Sequence, residues 1–274
     1  MVLEVLINPK KATGKPWEMF FIGVIYSLVG VVLGYWVFRS YVSIIMVSFT
    51  ALAAVPFVHN AMKAEEHHGK TTAKEINLLQ KHARIINVFT FLFLGFVTVF
   101  LLAFIILPAP LTSEIFKVQI ESIATVRNAV TGNFTSISST LGIILANNLK
   151  VLVLCVIFSL IYGMGAIFIL SWNASVMGAA IGDAVREGLH SNAGSLHVIF
   201  SSLTGYFVHG LPEIMAYFIA GLSGGILSVA LMKYGIQSRA FRKAGLDSLS
   251  LIAFAVVVLI LAAIIEVFIS PTLL

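Results

Sequence analysis

Charge is scarce in this sequence. Of its 274 residues, 11% are Asp, Glu, Lys or Arg and 59% are hydrophobic, whereas soluble domains carry about a quarter charged residues. The deficit excludes an ordinary soluble globular domain. With several long apolar runs and a mean hydropathy of +1.02, it places the chain among integral membrane proteins. Cysteine is nearly absent. Cys155 stands alone inside an apolar run, so neither an intrachain disulfide nor a thiolate metal cluster can form, and the residue reads as a small hydrophobe. A His-Glu-x-x-His zinc motif is missing. So is a block of basic residues interleaved with aromatics, which sets nucleic acid aside as a partner. Internal repeats and low-complexity segments are absent too. Residues 1–16 lack the order and cleavage site of a signal peptide, so the first span is expected to act as the insertion signal.

What is present reads as an all-α, polytopic transmembrane bundle of about seven spans in a lipid bilayer. Spans are expected near residues 19–38, 41–62, 85–107, 149–172, 195–208, 212–234 and 248–270. Gly23, Ser27, Gly30 and Gly34 form a small-residue stripe on the first, which favours close packing inside the chain over a dimer seam. Residues 63–84 are the most polar stretch. Their Glu65, Glu66, His67 and His68 fit no standard metal spacing and read as a solvated loop. Residues 111–148 differ in texture. Glu114, Lys117, Glu121 and Asn128 share one helical face, and Phe116, Ile120, Ile123 and Val130 share another. This pattern predicts an extracytoplasmic amphipathic helix, lying on the membrane or over the bundle. Asn133-Phe134-Thr135 is read as a chance match to a glycosylation acceptor. Residues 173–188 carry Asp183, Arg186 and Glu187 and are expected to form a re-entrant or interfacial helix rather than a span.

The net charge of +5 is read as topogenic. Placing the amino terminus inside puts the lysine- and arginine-rich segments 1–18, 63–84 and 233–245 all in the cytoplasm and the carboxyl terminus outside. Residues 1–84 read as a helical hairpin with its basic loop, and residues 85–274 as the transmembrane core.

Within this apolar background His209-Gly210-Leu211-Pro212-Glu213 is anomalous. An uncompensated carboxylate inside a span costs roughly 2.5–3.5 kcal/mol on insertion scales. Pro212 is expected to break the helix and begin the next one, which would leave Glu213 in a first turn at the positive end of the helix dipole. The same topology places Asn147, Asn148, His209, Glu213 and Glu266 at similar depth. One polar cluster in the outer leaflet is predicted. It admits a proton or cation site, a metal-dependent hydrolytic site with His209, Glu213 and Glu266 as ligands, or a purely structural network. Gly221-Leu222-Ser223-Gly224 resembles the nucleophile motif of rhomboid intramembrane proteases, but no later span offers a histidine base.

Asn147-Asn148, Trp172-Asn173-Ala174, the His209–Glu213 run, Ala220-Gly221-Leu222-Ser223-Gly224 and the segment from Ile265 to Pro271 occur together in one order. In this the chain resembles the stage II sporulation protein M family of integral membrane proteins, from about residue 85 to the end. The resemblance implies a multi-helix membrane fold. It carries over Asn148, Asn173, His209, Gly210, Glu213 and Glu266 as polar positions, with no established activity for any of them. The sporulating-bacterium member belongs to a membrane complex that recruits cell-wall hydrolases. Most relatives come from organisms that form no spores, so that role is not transferred.

The leading expectation is a non-enzymatic membrane-complex subunit or small-ion or solute conduit. The alternatives are an intramembrane metal-dependent hydrolase and a structural scaffold that recruits extracytoplasmic partners. Cofactor, metal and oligomeric state, including a homo-oligomer, stay open at this level.

Overall fold

The computed structural model describes residues 15–68, 78–132, 137–162, 165–190 and 195–269. Among them are nine α-helices and no strand: α1 (Glu18–Val37), α2 (Val42–His68), α3 (Leu78–Ile106), α4 (Ala109–Ile115), α5 (Lys117–Gly132), α6 (Ile137–Tyr162), α7 (Ala166–His190), α8 (Ser195–Tyr234) and α9 (Arg239–Phe268). Seven of these helices, all but α4 and α5, are long and apolar enough to cross a membrane. The side chains of Glu65, Glu66, His67 and His68, and the Asn133-Phe134-Thr135 match, lie outside the described residues.

The total of seven agrees with the sequence, but the middle boundaries do not. The expected fourth span, 149–172, is divided: α6 ends at Tyr162 and α7 begins at Ala166. Residues 173–188 are no re-entrant piece, because they continue α7 to His190. The small residues explain this. A Cβ on Gly178 would come within 2.8 Å of Phe100, and one on Gly182 within 2.8 Å of Phe104, so α7 lies directly along α3. Arg186 also has an answer. Its guanidinium donates to the carbonyls of Ile105 and Leu107 and sits 5.4 Å from the centre of the Phe104 ring. The charge thereby satisfies the open carbonyl end of α3, where a cation is favoured.

The broken helix near Pro212 is also corrected. Helix α8 runs unbroken for 40 residues with Pro212 inside it. Proline removes one backbone donor and crowds the carbonyl four residues back, but transmembrane helices tolerate it where neighbours restrain the chain. Here α8 is the most enclosed span, with 72% of its apolar window buried against 22% for α6 and 28% for α9. It ends at Gly235, whose φ of 72° suits a residue without Cβ. Ser238 then caps α9 by accepting from the Phe241 amide at 3.0 Å.

The stripe on α1 is used within the chain, as expected. Gly23 faces α3, where a Cβ would lie 2.3 Å from the Leu92 carbonyl oxygen, and Gly30 and Gly34 face α2 near Met46. The hydroxyl of Ser27 stays within its own helix by donating to the Gly23 carbonyl at 2.6 Å.

The amphipathic segment forms two helices that dock on the bundle. Phe116, at their junction, is fully buried between Phe100 and Phe104, with ring centres 6.5 and 5.2 Å away. The junction shifts the phase of the pattern, so Gln119 faces inward and Ile120 is exposed. Gln119 donates to the Ser43 carbonyl at 3.0 Å and to Ser175 Oγ at 3.1 Å, while Ser43 Oγ donates to the Ile115 carbonyl at 2.8 Å. Arg39 completes the attachment with bonds of 2.6 and 3.2 Å to the two Glu114 oxygens.

Candidate intramembrane polar site

Three helices bring the site together. The buried face of α6 carries Ile144, Asn148, Leu152, Cys155 and Ser159 at helical spacing. The facing surface of α8 is made of small residues. A Cβ on Gly224 would meet the Val156 carbonyl oxygen at 2.5 Å, and one on Gly221 would lie 3.5 Å from Ser159 Oγ. This close approach puts Asn148 against Glu213, and the Asn148 amide donates to a Glu213 carboxyl oxygen. From the other side α9 supplies Glu266, whose carboxyl lies beside that of Glu213, close enough to interact with it. The α8–α9 hairpin is fixed lower down by Ser248 Oγ, which donates to the Ser223 carbonyl at 2.9 Å.

The compensation for Glu213 therefore differs from the sequence expectation. Glu213 is not in a first turn, since α8 begins at Ser195, and the effect of a helix dipole fades within one turn. Side chains take its place. An ionised carboxylate only accepts hydrogen bonds, whereas a protonated one also donates. Two neighbouring carboxyls can therefore share a hydrogen bond only when one of them carries a proton. The amide of Asn148 satisfies a further oxygen.

Of the six predicted positions, Asn148, Glu213 and Glu266 meet directly. The other three do different things. His209 hydrogen-bonds the Gly205 carbonyl of its own helix and lies 6.0 Å from Tyr206, ring centre to ring centre. Gly210 gives α7 room: a Cβ there would lie 2.9 Å from the methyl carbon of Met177. Asn173, one turn before Met177, donates to the Ile169 carbonyl at 2.8 Å within α7. The proposed ligand set of His209, Glu213 and Glu266 is not assembled. Among the described residues no three His, Cys, Asp or Glu side chains are grouped to hold a metal ion. Ser223 makes no nucleophile pair either, because its hydroxyl is committed to the Ala220 carbonyl at 2.7 Å.

Two neighbours of the site were not assigned to it from the sequence, where Cys155 was read only as a small hydrophobe. Tyr217, 2% exposed, follows Glu213 by one helical turn and lies within electrostatic reach of Glu213, Glu266 and Cys155. Cys155 follows Asn148 by two turns on the same face. In both cases the signal was helical spacing from a polar residue already chosen.

Helices α6 to α9, which carry these residues, fall within one family match. The family model of Stage II sporulation protein M covers residues 19–271. The chain belongs to that family. The stage II sporulation protein M match includes α1 and α2, so the family's extent begins well before residue 85, where the sequence resemblance was placed. That fits the backbone contact between α1 and α3 at Gly23, which ties the first hairpin to the rest. No curated protein and no solved structure matches the chain.

Proposed function

We propose that this member of the family is a non-enzymatic membrane protein that conducts or gates a small cation, a proton foremost, at the Glu213–Glu266 pair. The observation that carries the reading is the juxtaposition of two carboxyl groups on neighbouring membrane-spanning helices, one of them held by Asn148. Such a pair can hold or release one proton, or exchange it for a cation, with little movement of the backbone. The reading includes an orientation, with the amino terminus in the cytoplasm and the carboxyl terminus outside. The basic loop around Arg239, Arg242 and Lys243 supports it. From Glu213 to Tyr234 α8 then rises about 32 Å, close to one hydrocarbon thickness, which favours the outer leaflet for the pair.

The test is flux across vesicles that contain the purified protein. Under an imposed pH or cation gradient, Glu213→Gln and Glu266→Gln are expected to abolish the flux seen with the unaltered protein. Equal flux in all three would overturn the reading.

A second reading, as a scaffold or complex subunit, rests on α4 and α5. Docked by Arg39, Ser43 and Ser175, they turn Lys117, Glu121 and Asn128 to solvent. Failure of crosslinkers placed at Lys117 or Glu121 to capture a protein partner in the native membrane would count against it.

A further inference from the structure

Two buried polar atoms are left over where α5 enters the bundle. Gln119 and Ser171 are both fully buried, and among the described residues Gln119 Oε1 and Ser171 Oγ have no hydrogen-bond partner. They belong to one junction. Gln119 Nε2 donates to the Ser43 carbonyl of α2 at 3.0 Å and to Ser175 Oγ of α7 at 3.1 Å. Oε1 shares that planar amide, so it lies at the same contact. Ser171 precedes Ser175 by one helical turn, which sets the two on one face of α7 with Cβ atoms about 5–6 Å apart. Both serines are fully buried, as is Ala174 between them.

No other hydroxyl at the junction has a hydrogen to give. Ser175 donates to the Trp172 carbonyl at 2.7 Å, and Ser43 donates to the Ile115 carbonyl at 2.8 Å. A glutamine Oε1 only accepts, so its donor must come from elsewhere. Buried polar atoms without a partner are costly, and an ordered internal water is a common partner for them. We propose that a buried water bridges Gln119 Oε1 and Ser171 Oγ and so ties α5 to α7. Water donates to Oε1 and can donate to or accept from a hydroxyl. Two hydrogen bonds through one oxygen span roughly 5 Å, the scale of the step from Ser175 to Ser171. The atoms present select this occupant over a metal ion. Mg²⁺ and Ca²⁺ take six or more oxygens, whereas only these two side-chain atoms are left unpartnered among the described residues. An internal water is held by two to four polar groups. The inference stands independently of ion conduction at the carboxyl pair.

The experiment follows hydrogen exchange in α5, with the full-length protein in lipid nanodiscs. Removal of a hydroxyl that has no partner would leave α5 unchanged or more protected. Removal of one that holds a bridging water loosens it. Ser171→Ala is therefore expected to speed exchange in α5 severalfold, and to lose that effect once Gln119 is Met. The helix preference of alanine acts equally in both backgrounds and cancels from the comparison. Unchanged or slower exchange in Ser171→Ala, or equal acceleration in the two backgrounds, would overturn the proposal. A high-resolution crystal structure gives a second readout. A density peak is expected within hydrogen-bond distance of both atoms, about 2.7–3.2 Å. Its absence, with Ser171 Oγ bonded directly to Oε1 or turned onto the Ile167 carbonyl, would overturn the proposal. A peak that gains anomalous signal when Rb⁺ replaces Na⁺ would overturn it in favour of a cation.

Discussion

Asn148 on α6 donates its side-chain amide to Glu213 on α8, and Glu213 in turn meets Glu266 on α9. This one acid therefore joins three helices. Loss of a partner from such a group costs about 1–3 kcal/mol, so Asn148→Leu is expected to destabilise by an amount in that range. A double-mutant cycle with Glu213→Gln, read by reversible unfolding in mixed detergent, should show coupling of about 0.6–1.7 kcal/mol. Additive effects would mean that the contact does not operate in the membrane.

At the crossing of α1 and α3 two glycines meet backbone to backbone. A Cβ on Gly23 would lie 2.3 Å from the Leu92 carbonyl oxygen, and a Cβ on Gly95 2.3 Å from that of Phe20. Backbone cannot move aside as a flexible side-chain end can. Gly23→Val is therefore expected to destabilise by about 1–3 kcal/mol through overpacking. Gly142→Ala, with open space around it, should change the thermal midpoint little. The same assay measures both.

Gln119 is a buried wedge between α5, α2 and α7. Ser175 gives its own hydrogen to the Trp172 carbonyl, so both partners of the Gln119 amide nitrogen are acceptors, and the amide orientation is fixed. Gln119 Oε1 is buried without a partner among the described residues. Gln119→Ala removes two bonds and leaves the Ser43 carbonyl without its donor from Gln119. Faster hydrogen exchange in α5 is expected, with the α8–α9 hairpin unaffected. Uniform protection in α5 would show that the wedge is not what holds it.

Attachment of α4 should depend on pH. The Arg39 guanidinium beside Glu114 holds its carboxyl below the usual carboxylate range. A carboxyl with a lowered folded-state pKa stabilises the folded form fully above its unfolded value, near 4.5, and progressively less as pH falls through the folded value. Opening of α4, followed by hydrogen exchange, should therefore rise on acidification below about pH 4.5. Arg39→Gln should raise opening at neutral pH and flatten that dependence. The pair is partly solvated, with Arg39 at 63% and Glu114 at 33% side-chain exposure, so added salt should weaken it as well.

The sequence by itself determined the helical membrane class, the number of spans and the identity of the acids that meet. These follow from local quantities: the length of apolar runs, the scarcity of charge and the cost of a carboxylate in hydrocarbon. Asn148, Glu213 and Glu266 were legible because each is polar where its neighbours are not. The small-residue stripe of α1 was legible because glycine spacing signals close approach. Only the tertiary structure decided where helices end. Pro212 looked like a break because proline weakens an isolated helix, yet the neighbours of α8 hold it continuous. Residues 173–188 looked too polar to span, yet the carbonyl end of α3 satisfies Arg186. Gln119 replaced Ile120 on the inward face once Phe116 took up the junction between two helices. In each case the deciding group lay on a distant helix, and contacts between distant helices are not encoded in local periodicity.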